Sequence, residues 1–143
     1  MLTRKAHARW EGSLSKGGGQ VETGSRALRS SYSFASRFED GKGTNPEELL
    51  GAAHAGCFAM ALTYTLEQAG FAPVYVDAIA EVTLAPRKSG EGFSISGSHL
   101  ICKARVPGLD QAGFLRYAEA AKVDCPISRA IAGVEITLDA ALV

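Results

Sequence analysis

Two of the chain's three cysteines sit in surroundings that could put a thiol to chemical use. Cys57 lies in GAAHAGCFAMAL (residues 51–62), a run of Ala and Gly that lets other elements approach closely, and Cys125 lies in VDCPISRAI (residues 123–131). A thiol directly before Pro126 is placed for a helix N-cap, because proline fits the first helical position and the unpaired backbone N–H groups of the helix start point at the sulfur. Such a setting favours thiolate. Cys102, in the strand-like HLICKARV, reads as a small core hydrophobe. His54 stands three residues before Cys57, so one helical face can hold both, and imidazole serves as a base or a metal ligand.

Each of these has a plainer reading. Buried cysteines in Ala-rich helices are more often packing residues than nucleophiles, and that reading predicts no approach of Cys57 to Cys125 within disulfide range, about 4.4–6.8 Å between Cα atoms. A lone His-x-x-Cys pair without a second ligand pair is a weak zinc signal, and a hydrogen-bonded core histidine is the commoner case. A Cys57–His54 hydrolase dyad is disfavoured because the pair shares a helix and no third orienting residue is visible. His7 and His99 lie in expected strands without a cluster, and Gly17 to Gly19 is without the Lys-Ser/Thr pair or the helix of a phosphate loop.

The elements that must carry these residues are legible in outline. Residues 6–11 and 20–23, joined by a glycine-rich turn, read as a hairpin, and residues 31–38 as a third strand or an extended loop. Asn45 is a good N-cap, Pro46 fits the first turn, Glu48 stands three residues after the cap, and the apolar run from Leu49 to about Leu66 ends at Gly70. This predicts a helix of about 24 residues. It is apolar nearly all round over residues 49–62 and is therefore expected to be buried on more than one side. Residues 74–84 and 93–106 alternate as a long hairpin, residues 110–122 have helical spacing, a short helix begins at Pro126, and a strand returns over residues 134–143 after Gly133.

That helix raises an electrostatic problem. Cys57 would sit about 18 Å from Asn45, so its own helix N-terminus cannot lower its pKa, and a cation must come from elsewhere. Arg37, in SRFEDG, and Arg129, one turn beyond Cys125, are the candidates. An arginine is always protonated and can bond to a thiolate and to an orienting carboxylate, for which Glu47 is the candidate. Yet Glu47 and Cys57 are about 15 Å apart in rise and about 80° apart in direction on one helix. If Glu47 serves the thiol, it must come from a second subunit.

Composition narrows the classes. The chain has 143 residues, expected to form one domain over 1–143, with 15 Lys+Arg against 15 Asp+Glu. That balance offers no basic field for nucleic acid. The start, MLTRKAHARWEG, lacks a signal-peptide core, and the longest apolar stretch, about residues 52–62, is broken by His54 and too short to span a bilayer. A soluble cytoplasmic protein without a membrane partner is expected. An odd cysteine count in a reducing compartment implies a transient bridge if any.

At these residues the chain resembles the OsmC/Ohr family of thiol-dependent organic hydroperoxide reductases, its OsmC branch more than its Ohr branch. The resemblance runs through HARWEG, YSFASRFEDGKGTNPEELLGAAHAGCFAMAL, GFSIS, ARVPGLD, VDCPISRAI and VEITLDA, with AAHAGC following the OsmC branch. It implies an α+β OsmC-like fold, an intertwined homodimer with two long central helices packed against mixed and antiparallel sheets. It further implies that Cys57 is the peroxidatic and Cys125 the resolving cysteine, that Arg37 activates the thiolate and that Glu47 holds Arg37. The implied activity is reduction of organic hydroperoxides, and less well of hydrogen peroxide, in oxidative or osmotic stress defence. Neither cofactor nor metal is called for, and the electrons come from a dithiol such as a lipoylated protein. The rival reading is a non-catalytic, stress-related ligand-binding dimer with inert cysteines.

Overall fold

The computed structural model describes all 143 residues, and its elements fall into two compact units, Met1–Leu49 and Leu50–Val143. In the first unit β1 (Ala6–Glu11), β2 (Gly18–Thr23) and β3 (Arg29–Tyr32) form an antiparallel sheet in that order. Trp10 and Tyr32 meet edge-on across it, ring centroids 5.3 Å apart. Gly19 leaves room for Tyr32, whose ring would lie 2.4 Å from a Cβ there.

The chain then turns into α1 (Phe34–Phe38). Here the expectation of one extended segment over residues 31–38 fails in its second half. Ser33 and Ser36 form a reciprocal capping box, with the Ser36 N–H donating to Ser33 Oγ at 3.1 Å and the Ser33 N–H to Ser36 Oγ at 2.8 Å. This satisfies two orphan donors and starts a helix in a segment whose aromatic-polar alternation suits a strand.

The boundary between the units falls inside α2 (Pro46–Gln68). Asn45 caps it as expected, its Oδ1 accepting from the Glu48 N–H at 2.8 Å. The far end closes at Gly70, in the left-handed region at φ +86, where a residue without Cβ is at ease.

In the second unit β4 (Tyr75–Pro86) and β5 (Phe93–Arg105) make the long antiparallel hairpin. After β5 the chain passes through α3 (Gln111–Asp124) and α4 (Pro126–Ala130), and β6 (Glu135–Leu142) returns parallel to β5. The second sheet is therefore mixed, in the order β4-β5-β6. Its inward positions, among them Leu100, Cys102 and Ala104, meet Phe58, Leu62 and Leu66 of α2 and Phe114, Ala118 and Ala121 of α3 in one core. The helix lies close to the sheet at Gly51, where a Cβ would come within 3.0 Å of the Ala80 carbonyl oxygen.

Within its unit α2 is buried on one side only. Phe58, Leu62 and Leu66 are wholly inaccessible, whereas Met60 is 76% and Tyr64 63% exposed, and with Ala59, Thr63 and Glu67 they line a shallow hollow of about 280 Å³. By length and composition the whole helix could cross a bilayer, contrary to the expectation from residues 52–62 alone. Its inward face, with a hydrogen-bonded histidine and a packed core, is that of a core helix.

The fully buried Leu62 makes a direct check of this core. Leu62→Ala should lower unfolding stability by about 2–5 kcal/mol in urea titrations at fixed protein concentration, and a loss below about 1 kcal/mol would mean α2 is not packed as described.

Candidate active site

In the first unit the site residues are Arg37 and Glu47. Arg37 lies in the last turn of α1, and Glu47 in the first turn of α2, where a carboxylate is favoured by the helix dipole. Arg37 Nη2 donates to Glu47 Oε1 at 2.7 Å, and Arg37 Nε reaches both carboxylate oxygens at 3.3 Å. Glu47 is nearly buried, while the Arg37 side chain keeps 38% exposure. Ser36 and Asn45 build the bracket around the pair. Ser36 Oγ donates to the Thr44 carbonyl at 2.7 Å, and Asn45 Nδ2 to the Ser36 carbonyl at 3.2 Å, so the end of α1 and the start of α2 are laced together. The guanidinium also sits 5.3 Å from the Phe38 ring centroid.

In the second unit Cys57 and Cys125 come together. Both are free thiols, Cys57 half-buried and Cys125 buried; Cys57 packs against the core cluster that holds Cys125, near enough for the Cys125 thiol to act on its titration. Burial pushes the Cys57 thiol above its ordinary pKa, the Cys125 sulfur, as acceptor for the Cys57 S–H, pushes it the same way, and the backbone N–H of Ile127 pulls it down. Cys125 is the residue between α3 and α4, as Pro126 implied, but its side chain makes no capping hydrogen bond. At the start of α4 the Ile127 N–H acts on Cys57, whereas the sequence points the N–H groups of this helix start at Cys125.

Of the large apolar residues that follow Cys57 on α2, Phe58 and Leu62 are buried in the core and Met60 is exposed. Cys102 is part of the core, with its pKa raised to about 11 by burial and by the Asp77 carboxylate, as suits a packing residue.

His54 is a satisfied core histidine, the commoner of its readings. It is wholly buried, with Nδ1 2.7 Å from Ser98 Oγ on β5 and Nε2 2.8 Å from Ser128 Oγ on α4. Whichever tautomer is present, one ring nitrogen donates to a serine oxygen and the other accepts from a hydroxyl. The two serines lie 44 and 74 residues away in sequence, and no local pattern marked them. Burial lowers the histidine's pKa and keeps it neutral.

An α+β chain of this topology, with two thiols in contact between its helices, is that of an OsmC-like protein. The family model described as OsmC-like protein matches residues 39–139, and the chain belongs to that family. It is 46% identical over 139 residues to Peroxiredoxin OsmC of Escherichia coli K12, covering 96% of this chain and 95% of that protein. Among solved structures it is similar to the organic hydroperoxide resistance protein OhrB of Bacillus subtilis, at 27% identity and a TM-score of 0.79 over 98% of each chain. An organic hydroperoxide resistance protein OsmC from Legionella pneumophila matches at 26% identity and a TM-score of 0.73 over 99% of each chain. The α+β OsmC-like fold expected from the sequence is thus the fold observed.

Neutral burial of His54 has a signature in pH. The folded ring resists protonation, while in the unfolded chain it takes a proton as pH falls through its ordinary 6.5. Below that value the unfolded state binds more protons, so stability falls with falling pH. Urea midpoints between about pH 7.5 and about pH 5 should therefore fall more steeply in the native chain than in His54→Gln, and parallel profiles would refute the assignment.

Proposed function

We propose that this chain is a thiol-dependent peroxidase that reduces organic hydroperoxides, acting as a homodimer in the cytoplasm with residues 1–143 as one functional domain. The observation that carries this reading is the packing of Cys57 against the core that holds Cys125, the two thiols interacting, in a chain 46% identical to a named peroxiredoxin. The thiolate of Cys57 attacks the terminal oxygen of the hydroperoxide. An S–O bond forms, the O–O bond breaks, the alkoxide takes a proton and leaves as alcohol, and Cys57 is left as a sulfenic acid. Cys125 then attacks the sulfenic sulfur, the S–S bond forms and water leaves. Two thiol exchanges with an external dithiol, a lipoylated protein or a similar small dithiol, restore both thiols. The apolar wall about Cys57 favours alkyl and aryl peroxides over hydrogen peroxide.

Arg37 supplies the charge that lowers the Cys57 pKa and meets the developing alkoxide, and Glu47 orients Arg37. The pairing of Arg37 with Glu47 supports the second role. Ten residues of straight helix separate Glu47 from Cys57, so the pair comes from the other subunit. The exposed Met60 and Tyr64 on α2 support a second copy seated there, which would give that helix the cover its sequence demands.

Cysteine substitutions test the chemistry. Cys57→Ser should abolish turnover of cumene hydroperoxide with a dithiol, Cys125→Ser should consume about one peroxide per site and then stop, and Cys102→Ser should stay active. An active Cys57→Ser together with an inactive Cys102→Ser would overturn the assignment.

Subunit mixing tests the shared site. Cys57→Ser and Arg37→Ala should each be inactive or nearly so as pure dimers. Unfolded together and refolded at equal amounts, they should recover about a quarter of the native activity, because half the dimers then hold one intact Arg37–Cys57 combination. No recovery despite dimers forming would place Arg37 and Cys57 of one subunit in the same site, and an active Arg37→Ala dimer would give the role to Arg129.

A further inference from the structure

The His54 network is a buried titratable cluster that the chemistry above leaves unused, and its position is informative. It lies one turn before Cys57 on α2, and its Nε2 bonds to Ser128, three residues after Cys125 on α4. The helix α4 has only five residues, too few to hold itself together, and its placement depends on what grips it. Two interactions tie it to α2: the Ile127 N–H acting on the Cys57 thiol, whose pKa it lowers, and the hydrogen bond of Ser128 Oγ with His54 at 2.8 Å. The first depends on the oxidation state of Cys57, because the sulfur that accepts it changes when an oxygen is added and again when the disulfide forms. The second does not. Ser98 fixes the opposite ring nitrogen from β5, so the imidazole is braced by the sheet and cannot swing away with α4.

We infer that His54 is a positioning residue for the resolving step: braced by Ser98, it holds Ser128 and with it α4, so that Cys125 stays within reach of Cys57 while Cys57 is a sulfenic acid. The inference rests on the assignment of Cys57 and Cys125 above. In the step it serves, the Cys125 sulfur attacks the sulfenic sulfur, the S–S bond forms, the S–O bond breaks, and the hydroxyl leaves as water with the thiol's proton. Where α4 drifts, the sulfenic acid waits longer. A second hydroperoxide can then oxidise it to sulfinic acid, releasing a further alcohol.

A merely structural histidine would lower stability without separating the two chemical steps. Single-turnover kinetics on native protein, Ser128→Ala, Ser128→Thr, Ser98→Ala and His54→Gln separate them, with sulfenic acid measured by dimedone trapping and the Cys57–Cys125 disulfide by mass spectrometry after acid quench. Ser128→Ala should form the sulfenic acid within about twofold of the native rate and close the disulfide about tenfold to a hundredfold more slowly, since small misplacements cost that much in oriented reactions. It should also accumulate Cys57 sulfinic acid at high peroxide. Ser128→Thr, which keeps the hydroxyl, should restore disulfide closure. Ser98→Ala should resolve faster than Ser128→Ala, and His54→Gln, able to reach one serine but not both, should share the slow closure. Native-rate closure in Ser128→Ala and His54→Gln, or equal slowing of both steps in each variant, would overturn the inference. If the native protein forms no Cys57–Cys125 disulfide with peroxide, the functional assignment fails instead, and the inference with it.

Discussion

A helix that is apolar on all sides cannot be satisfied by one sheet, and in this protein that constraint falls on α2. Its inward side is well served: Phe58, Leu62 and Leu66 vanish into a core shared with β5 and α3. The outward side leaves Met60 and Tyr64 in water, about 1.5–3 kcal/mol of unrealised burial for a side chain like Met60. No polar face was provided for solvent, as an ordinary surface helix would have. A second copy of the same helix is the cover that a homodimer supplies, and the small residues Ala59 and Thr63 beside Met60 and Tyr64 permit close approach. The same helix carries Glu47 in its first turn and Cys57 ten residues on, so whatever covers α2 also decides what reaches the thiol.

The electrostatics of Cys57 lead to the same conclusion from another side. Burial and the Cys125 thiol hold it protonated, and one backbone N–H from Ile127 is too little to offset them. Within the second unit Cys57 is thus a quiet thiol. The proposed chemistry requires a cation beside Cys57, and Arg37 is the candidate. Glu47 engages its Nε and Nη2, which leaves Nη1 and the second N–H of Nη2 free of the carboxylate. Glu47 lies in the first turn of α2, where the helix dipole favours a carboxylate, and its hydrogen bonds orient the guanidinium. A lysine there would offer a point charge and no such division of donors.

Much of this was legible in the sequence because it is local. The bounds of α2 follow from Asn45, Pro46 and Gly70, and the β4–β5 hairpin from strict alternation, because caps and pleats are set by neighbours a few residues away. The misses share a cause. The helix α1 depends on two serines in a five-residue element, below the length at which periodicity speaks. The thiol of Cys125 was read from its neighbour Pro126, yet its partner is Cys57, which lies across a fold no local pattern reports. His54 was correctly read as a satisfied core residue, but its partners Ser98 and Ser128 are unremarkable in their own strand and helix. Buried polar groups must find partners, and which partners they find is a property of the packed chain alone.

Those distant partners change how the thiol pair should be understood. Cys125 occupies the junction where α3 ends and α4 begins, at φ −53 and ψ 125, with its own N–H bonded back to the Ala121 carbonyl at 2.9 Å. Its sulfur spends no bond on capping α4, so breaking or making a bond at that sulfur does not unravel the helix start. The scaffold on either side is independent of the thiol: α3 is anchored by Phe114, Ala118 and Ala121 in the core, and α4 by Ser128 on His54. A resolving thiol that also capped its helix would trade local stability for each turnover. Here the backbone grips the residue without using its sulfur, which interacts with Cys57 while both are thiols.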